Sequence, residues 1–299
     1  MKLATTTGDF SAYASTQQES MGYIAQTSFR YLDYNFCMDY AKGNGVYASN
    51  WKEHLDDIRR HAEKLCVRFI QAHAPMGKPL ADESGDFCRA TIRSIESCGM
   101  LGIDRIVVHS GYRKNLTREE TFLENKAFFE KLFPVAEKFG VNILVENFDK
   151  MHVEDMYWID NAADLRDLID FVDHPLLHAC WDTGHGNMQE TPQDEALRIL
   201  GHHVYALHVQ DNYGDKDTHM APFFGTLNLD SLMHGLKDIH YNGYFTFEAG
   251  NIFLPHNIRR PFETDHRLLR VPLSLRIQAE KLLYEIGKYT LEAYECFER

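Results

Sequence analysis

Cysteine is sparse and unpaired: Cys37, Cys66, Cys88, Cys98, Cys180 and Cys296 are the only six in 299 residues, and none forms a C-x-x-C pair. That pattern suits neither a disulfide framework nor a structural zinc site, and it points to a reducing, cytoplasmic compartment. Positive charge is also in deficit, with 31 Lys and Arg against 44 Asp and Glu for a formal charge of −13. Without a basic stripe, such a chain is a poor nucleic-acid binder and a poor match for an anionic membrane. No apolar run is long enough to span a bilayer, and the opening MKLATTTGDF lacks the apolar core of a signal peptide. There is no Pro-, Gly- or Ser-rich linker, no low-complexity segment and no short repeat, so residues 1–299 read as a single domain.

What the chain does contain is a regular alternation of β-rich apolar runs and segments of helical period. The strand candidates are KLATTT (2–7), YLDYNF (31–36), VRFIQAHA (67–74), DRIVVHSG (104–111), VNILVENF (141–148), LLHACWD (176–182), HVYALHVQDN (203–212) and GYFTFEAG (243–250). Helix starts are marked by Asn50, by Asn161 and by Thr117 with Glu120 in capping-box spacing; Gly102, Gly140 and Gly243 read as helix stops. Eight strands with seven intervening helices describe a (β/α)8 TIM barrel over about 1–250, followed by a loop and a long C-terminal helical segment. A doubly wound open sheet would carry G-x-G-x-x-G after its first strand, where this chain has TTTGDFSAY.

In such a barrel, functional side chains stand at the C-terminal ends of strands. Strand three ends in His73, strand four in His109, strand five in Glu146, strand six in Asp182 with His185 beyond, strand seven in His208 and strand eight in Glu248. Taken alone, Glu146 or Glu248 reads as an ion-pair partner or a loop cap. Converging in one barrel mouth, however, the acids would repel one another unless a cation or a shared proton compensated them. Glu146, Asp182 and Glu248 with neutral His208 suit a hard or borderline divalent ion. His185 reads either as a loop cap or as a contact to substrate or a second metal; His73 and His109 read as substrate or supporting groups, as further ligands or as satisfied core histidines; Asp217 and His219 form a D-x-H spacing that suits a metal but is common by chance.

These strand ends resemble the xylose isomerase-like TIM barrels, a superfamily of sugar-phosphate isomerases and epimerases that also includes the endonuclease IV group. The resemblance rests on VVHSG (107–111), ILVEN (143–147), WDTGH (181–185), LHVQDN (207–212), HMAPFFGTLNL (219–229) and FTFEAG (245–250). It implies one divalent ion on Glu146, Asp182, His208 and Glu248, with Mn²⁺ as first choice and Mg²⁺, Co²⁺ or Zn²⁺ as alternatives. It further implies a substrate contact at His185 in the isomerase branch. In the endonuclease branch it implies a three-zinc site that adds His73, His109, His185, Asp217 and His219. The H-M-A-P-F-F-G stretch favours the sugar branch, whereas the Arg that ketose 3-epimerases place after the strand-seven histidine is replaced here by Tyr213, Gly214, Asp215 and Lys216.

The activity so implied is a metal-dependent sugar isomerisation or epimerisation, with proton transfer through a metal-stabilised enediolate. Glu146 and Glu248 would move the proton, Asp182 and His208 would hold the ion, and His185 would orient a substrate hydroxyl. His73, His109, Trp158 and Phe223 are the remaining candidate substrate contacts. Met151, His152, Tyr157 and Phe224 share the aromatic loops, which read equally as a sugar platform or as an interface. Arg259 and Arg260 read as a phosphate grip or as solvated charge. Two alternatives stand beside this reading. One is a lyase, the catalytic subunit of a C-glycoside deglycosidase acting on 3-oxo-C-glycosides with a small β-rich partner; the other is an endonuclease IV-like zinc phosphodiesterase. The partners expected are a sugar or glycoside substrate and further copies of the chain, with neither nucleic acid nor membrane.

Overall fold

The structure, a computed structural model, describes residues 1–149, 151, 157–253 and 271–298. Eight parallel strands, β1 (Lys2–Thr6), β2 (Tyr31–Asn35), β3 (Arg68–His73), β4 (Arg105–Val108), β5 (Asn142–Glu146), β6 (Leu177–Asp182), β7 (Val204–His208) and β8 (Tyr244–Phe247), follow one another around a sheet. Their order is β7-β6-β5-β4-β3-β2-β1-β8, and β8 returns to β7 through a parallel bridge between Val209 and Phe247. Two backbone bonds seal that seam, Val209 N–H to the Thr246 carbonyl at 2.7 Å and Glu248 N–H to the Val209 carbonyl at 3.1 Å. The expected (β/α)8 TIM barrel is therefore present, with strands a residue or more shorter than the apolar runs suggested.

Alternation along each strand sends every second residue into the barrel. Val107, Leu144, Cys180 and Ala206 form a small buried cluster apart from the main core, and each stands two residues before a site residue: His109, Glu146, Asp182 and His208. The opposite phase, such as Ile106, Ile143, Val145, Trp181 and Leu207, packs outward into the large core shared with the helices. The helix Trp51–Leu65 shows the complementary pattern, with Trp51, Leu55, Ile58 and Ala62 buried and the charged positions between them facing water.

The capping box is formed: Thr117 accepts from Glu120 N–H while the Glu120 carboxylate accepts from Thr117 N–H. The long helical run that follows it is broken in two, Arg118–Glu130 and Phe133–Phe139. Pro134, in the first turn of the second piece, lacks the N–H needed to continue the first. Gly102 and Gly140 cap helices in left-handed conformation as expected. Gly243 does not. The preceding helix closes at Ile239, the left-handed turn is taken by His240, and Gly243 instead leaves room for the Tyr241 ring, whose oxygen would lie 2.5 Å from a Cβ there.

The C-terminal helix, Leu273–Ala293, packs along the barrel wall. Its buried Arg276 bridges Glu280 at 2.9 Å and Asp9 at 3.5 Å, and Thr5 donates to Glu280 at 2.6 Å, tying the helix to β1 and the turn after it. Gly287 seats it closely, because a Cβ there would come within 2.7 Å of Leu3 and of the Phe247 ring. Phe247 is itself fixed between Phe29 and Phe245. Gly287→Ala is therefore expected to lower stability by about 1–3 kcal/mol through overpacking, read as a lower urea midpoint at unchanged m-value. No helix among the described residues is long and apolar enough to cross a membrane.

Candidate active site

Glu146, Asp182 and His208 close β5, β6 and β7, and Glu248 is the first residue past β8. One donor atom from each lies within 4.8 Å of the other three. His208 is central: its Nδ1 stands 2.6 Å from Glu146 Oε1 and 3.3 Å from Glu248 Oε2. The other Glu146 oxygen faces His73 Nε2 at 3.6 Å and His109 Nε2 at 3.5 Å, and the two histidines approach each other at 3.2 Å. All of these side chains are buried except that of Glu248, which is 17% exposed and thus forms the rim of the cluster.

A second donor set, His185, Asp217 and His219, stands beside the first. Asp182 caps the short helix Thr183–Asn187 by accepting from His185 N–H at 2.7 Å, which holds the imidazole over the site. His185 Nδ1 donates to the Asn147 carbonyl at 2.9 Å, and its Nε2 faces Asp217 at 3.4 Å. Gln210 donates to both Asp182 (3.2 Å) and Asp217 (2.6 Å), joining the two sets. Gly184 makes that possible, since a Cβ there would fall 2.1 Å from the Gln210 amide carbon.

The electrostatics are those of buried carboxylates balanced by imidazoles: against burial, Asp182 and Asp217 push the His185 imidazole up to about 10. Burial pushes the Asp182 carboxyl up to about 7 against the pull of the His185 imidazole, with Glu146, Asp217 and Glu248 adding repulsion. Burial likewise drives the His109 imidazole down to about 3, a lone-pair donor at neutral pH. For Glu146 burial is outweighed by His208, which keeps the carboxyl well below its ordinary range. The Asp182 Oδ2 atom is buried without a hydrogen-bond partner among the described residues. Three carboxylates, an imidazole and an orphaned buried oxygen within this distance fit a divalent cation, whose charge would replace the proton that burial otherwise places on Asp182.

A family model described as xylose isomerase-like TIM barrel matches residues 24–270. The chain belongs to this family. An uncharacterized protein of Methanocaldococcus jannaschii is 27% identical over 164 residues, 53% of this chain and 55% of that protein. Fructoselysine 3-epimerase of Escherichia coli O157:H7 is 27% identical over 124 residues, 42% of this chain and 44% of the enzyme. The chain thus spans about half the length of the curated relatives it matches. Among solved structures, D-psicose 3-epimerase from Clostridium cellulolyticum H10 with D-tagatose superimposes with a TM-score of 0.74 at 16% identity, covering 97% of this chain and 99% of that one. At that identity the likeness is one of fold.

Within this family member the aromatic wall next to the donors is built by Tyr157 and Phe148. The Tyr157 ring lies 4.5 Å from His109 and 4.4 Å from Phe148, and Phe148 lies 4.8 Å from His185. Trp158 turns the other way and packs on Phe122 at 4.9 Å, near the Arg118 guanidinium. Phe223 is 59% exposed in a left-handed conformation, with Tyr289 of the C-terminal helix 6.2 Å away. Phe224 and Met151 are also exposed, and His152, Arg259 and Arg260 lie outside the described residues. Residues that strand-end reasoning passes over are Asp33, Gln71, Asn147 and Gln210. For Asp33 and Gln71 the available signal is a polar side chain at an inward position of a buried strand.

Proposed function

We propose that this protein is a divalent-metal-dependent sugar isomerase or epimerase that removes and returns a proton beside a carbonyl. The observation that carries the reading is the convergence of Glu146, Asp182, His208 and Glu248 donors within 4.8 Å, with Asp182 Oδ2 left without a partner among the described residues. Those four residues would hold the ion, Mn²⁺ as first choice. When bound, it supplies a Lewis acid for a carbonyl oxygen and its neighbouring hydroxyl. Glu146 and Glu248 flank His208 Nδ1, so two carboxylates are available to take the proton and to give it back. Glu248, at the rim, is the more accessible to an entering sugar, and His185, fixed by Asn147 and Asp182, directs its Nε2 edge to the Asp217 side, where a substrate hydroxyl would be oriented. The buried Tyr157 and Phe148 rings shelter that space from water. The 3-epimerase neighbours support the same reaction class on a ketose.

The His185, Asp217 and His219 set supports a second reading, an endonuclease IV-like zinc phosphodiesterase, because it offers another ion a place. One experiment separates them. Metal-stripped protein, reloaded with Mn²⁺ and incubated with a panel of free ketoses in D₂O, is expected to incorporate deuterium at the carbon beside the carbonyl. Chelation should abolish that exchange and added Mn²⁺ should restore it. Cleavage of abasic DNA by the zinc-loaded protein, without any exchange, would establish the second reading instead. Release of an aromatic aglycone from a 3-keto C-glycoside would place the chain with the deglycosidases.

A further inference from the structure

The inner face of the barrel beneath the site is divided. On the β4 to β7 side it is filled by the apolar cluster of Val107, Leu144, Cys180 and Ala206. On the β2, β3 and β8 side stands a buried polar chain: the Thr246 hydroxyl donates to Gln71 Oε1 at 3.1 Å, and Gln71 Nε2 donates to Asp33 Oδ2 at 2.9 Å. The same Asp33 oxygen lies 3.0 Å from His208 Nε2, and the side chains of both Asp33 and His208 are 1% exposed. A carboxylate only accepts, so His208 Nε2 donates to Asp33, and Nδ1, 2.6 Å from Glu146, donates in the same way where no ion stands between them. The assignment is internally consistent. Turning the Gln71 amide over would set its oxygen against the Asp33 carboxylate, whereas in the orientation present Thr246 satisfies that oxygen.

From this chain we infer that Asp33 is a positioning residue for the metal centre, acting through His208. Resting on the metal reading above, the inference adds what selects the ligand atom. An ion held among Glu146, Asp182 and Glu248 would take the place of the proton on Nδ1, the nitrogen on their side, while Asp33 would keep the proton on Nε2, so that the Nδ1 lone pair is the one offered to the ion. Asp33 also fixes the ring plane, since the imidazole is held at both ends, and it raises the basicity of Nδ1. The alternative tautomer would put an N–H toward the cation and a lone pair toward a carboxylate, losing both interactions. A ring held only by packing would have no such preference. Asp33 would thus act without touching substrate or ion, from 175 residues away in sequence.

The test uses the full chain, stripped of metal and titrated with Mn²⁺, with the free ion counted by electron paramagnetic resonance. Asp33→Ala is expected to raise the Mn²⁺ dissociation constant by about 10- to 100-fold. Asp33→Asn, whose amide oxygen can accept the same N–H, is expected to recover most of that loss. Thermal melting alongside separates this from a folding defect, because a purely structural role would lower the melting temperature of both variants without such a rescue. If Asp33→Ala does not fold, ¹⁵N spectra of histidine-labelled wild type loaded with Zn²⁺ decide the matter, with His208 expected to show a protonated Nε2. Wild-type binding of Mn²⁺ with equal affinity in Asp33→Ala, or an unprotonated Nε2, overturns this inference alone. Failure of the wild type to bind any divalent ion overturns the metal reading and the inference together.

Discussion

Glu248→Gln is expected to leave a folded protein and to slow sugar C–H exchange by about 10²- to 10⁴-fold, the usual contribution of a positioned acid or base. Glu248 is the one member of the four-residue set with appreciable exposure, 17% of its side chain, and its Oε2 lies 3.3 Å from His208 Nδ1. The substitution keeps shape and an acceptor oxygen but removes the group that can carry a proton. Because an amide is also a weaker metal donor, Mn²⁺ affinity must be measured on the same sample, and exchange compared at saturating metal. Glu248→Asp, which restores the acid at a shorter reach, should recover part of the rate. Exchange within tenfold of wild type in Glu248→Gln at full metal occupancy would remove Glu248 from the proton-transfer role.

Glu146→Gln should do more damage to metal binding. Its two oxygens serve three imidazoles, Oε1 facing His208 and Oε2 facing His73 and His109, in a wholly buried position. Removing one partner of a buried charged set costs about 3–5 kcal/mol, which converts to roughly two to four orders of magnitude in the Mn²⁺ dissociation constant. In the metal-free protein the cost to folding should be smaller, because the histidines can release protons where no carboxylate balances them. The expected signature is therefore a large loss of metal affinity with a modest shift in melting temperature. Loss of folding at unchanged per-chain metal affinity would be the opposite result.

How far the sequence carries this account follows from where each residue sits on its strand. Glu146, Asp182, His208 and Glu248 are legible because an ionisable residue at the end of a buried apolar run stands out, and the barrel gives those ends a common destination. The same holds for the Thr117 and Glu120 cap, a local pattern needing no tertiary information. Asp33 is not legible in that way. It lies within its strand, between Leu32 and Tyr34, and its partners Gln71 and His208 are 38 and 175 residues distant, so its role depends on how neighbouring strands are staggered. Loop residues are harder still: Tyr157 and Trp158 are adjacent and chemically alike, yet one faces His109 and the other Phe122, a choice that no periodicity encodes. Gly243 misleads because a non-glycine residue, His240, takes the left-handed turn that the glycine was expected to supply.

The most direct measurement is equilibrium dialysis of the metal-stripped full chain against Mn²⁺, followed by elemental analysis, for the wild type and for Asp182→Ala. Tight uptake of Mn²⁺ by the wild type is expected, with its loss in the variant, because Asp182 contributes a buried oxygen that no group among the described residues satisfies. Equal uptake by both proteins, or none above background in the wild type, would contradict the metal reading.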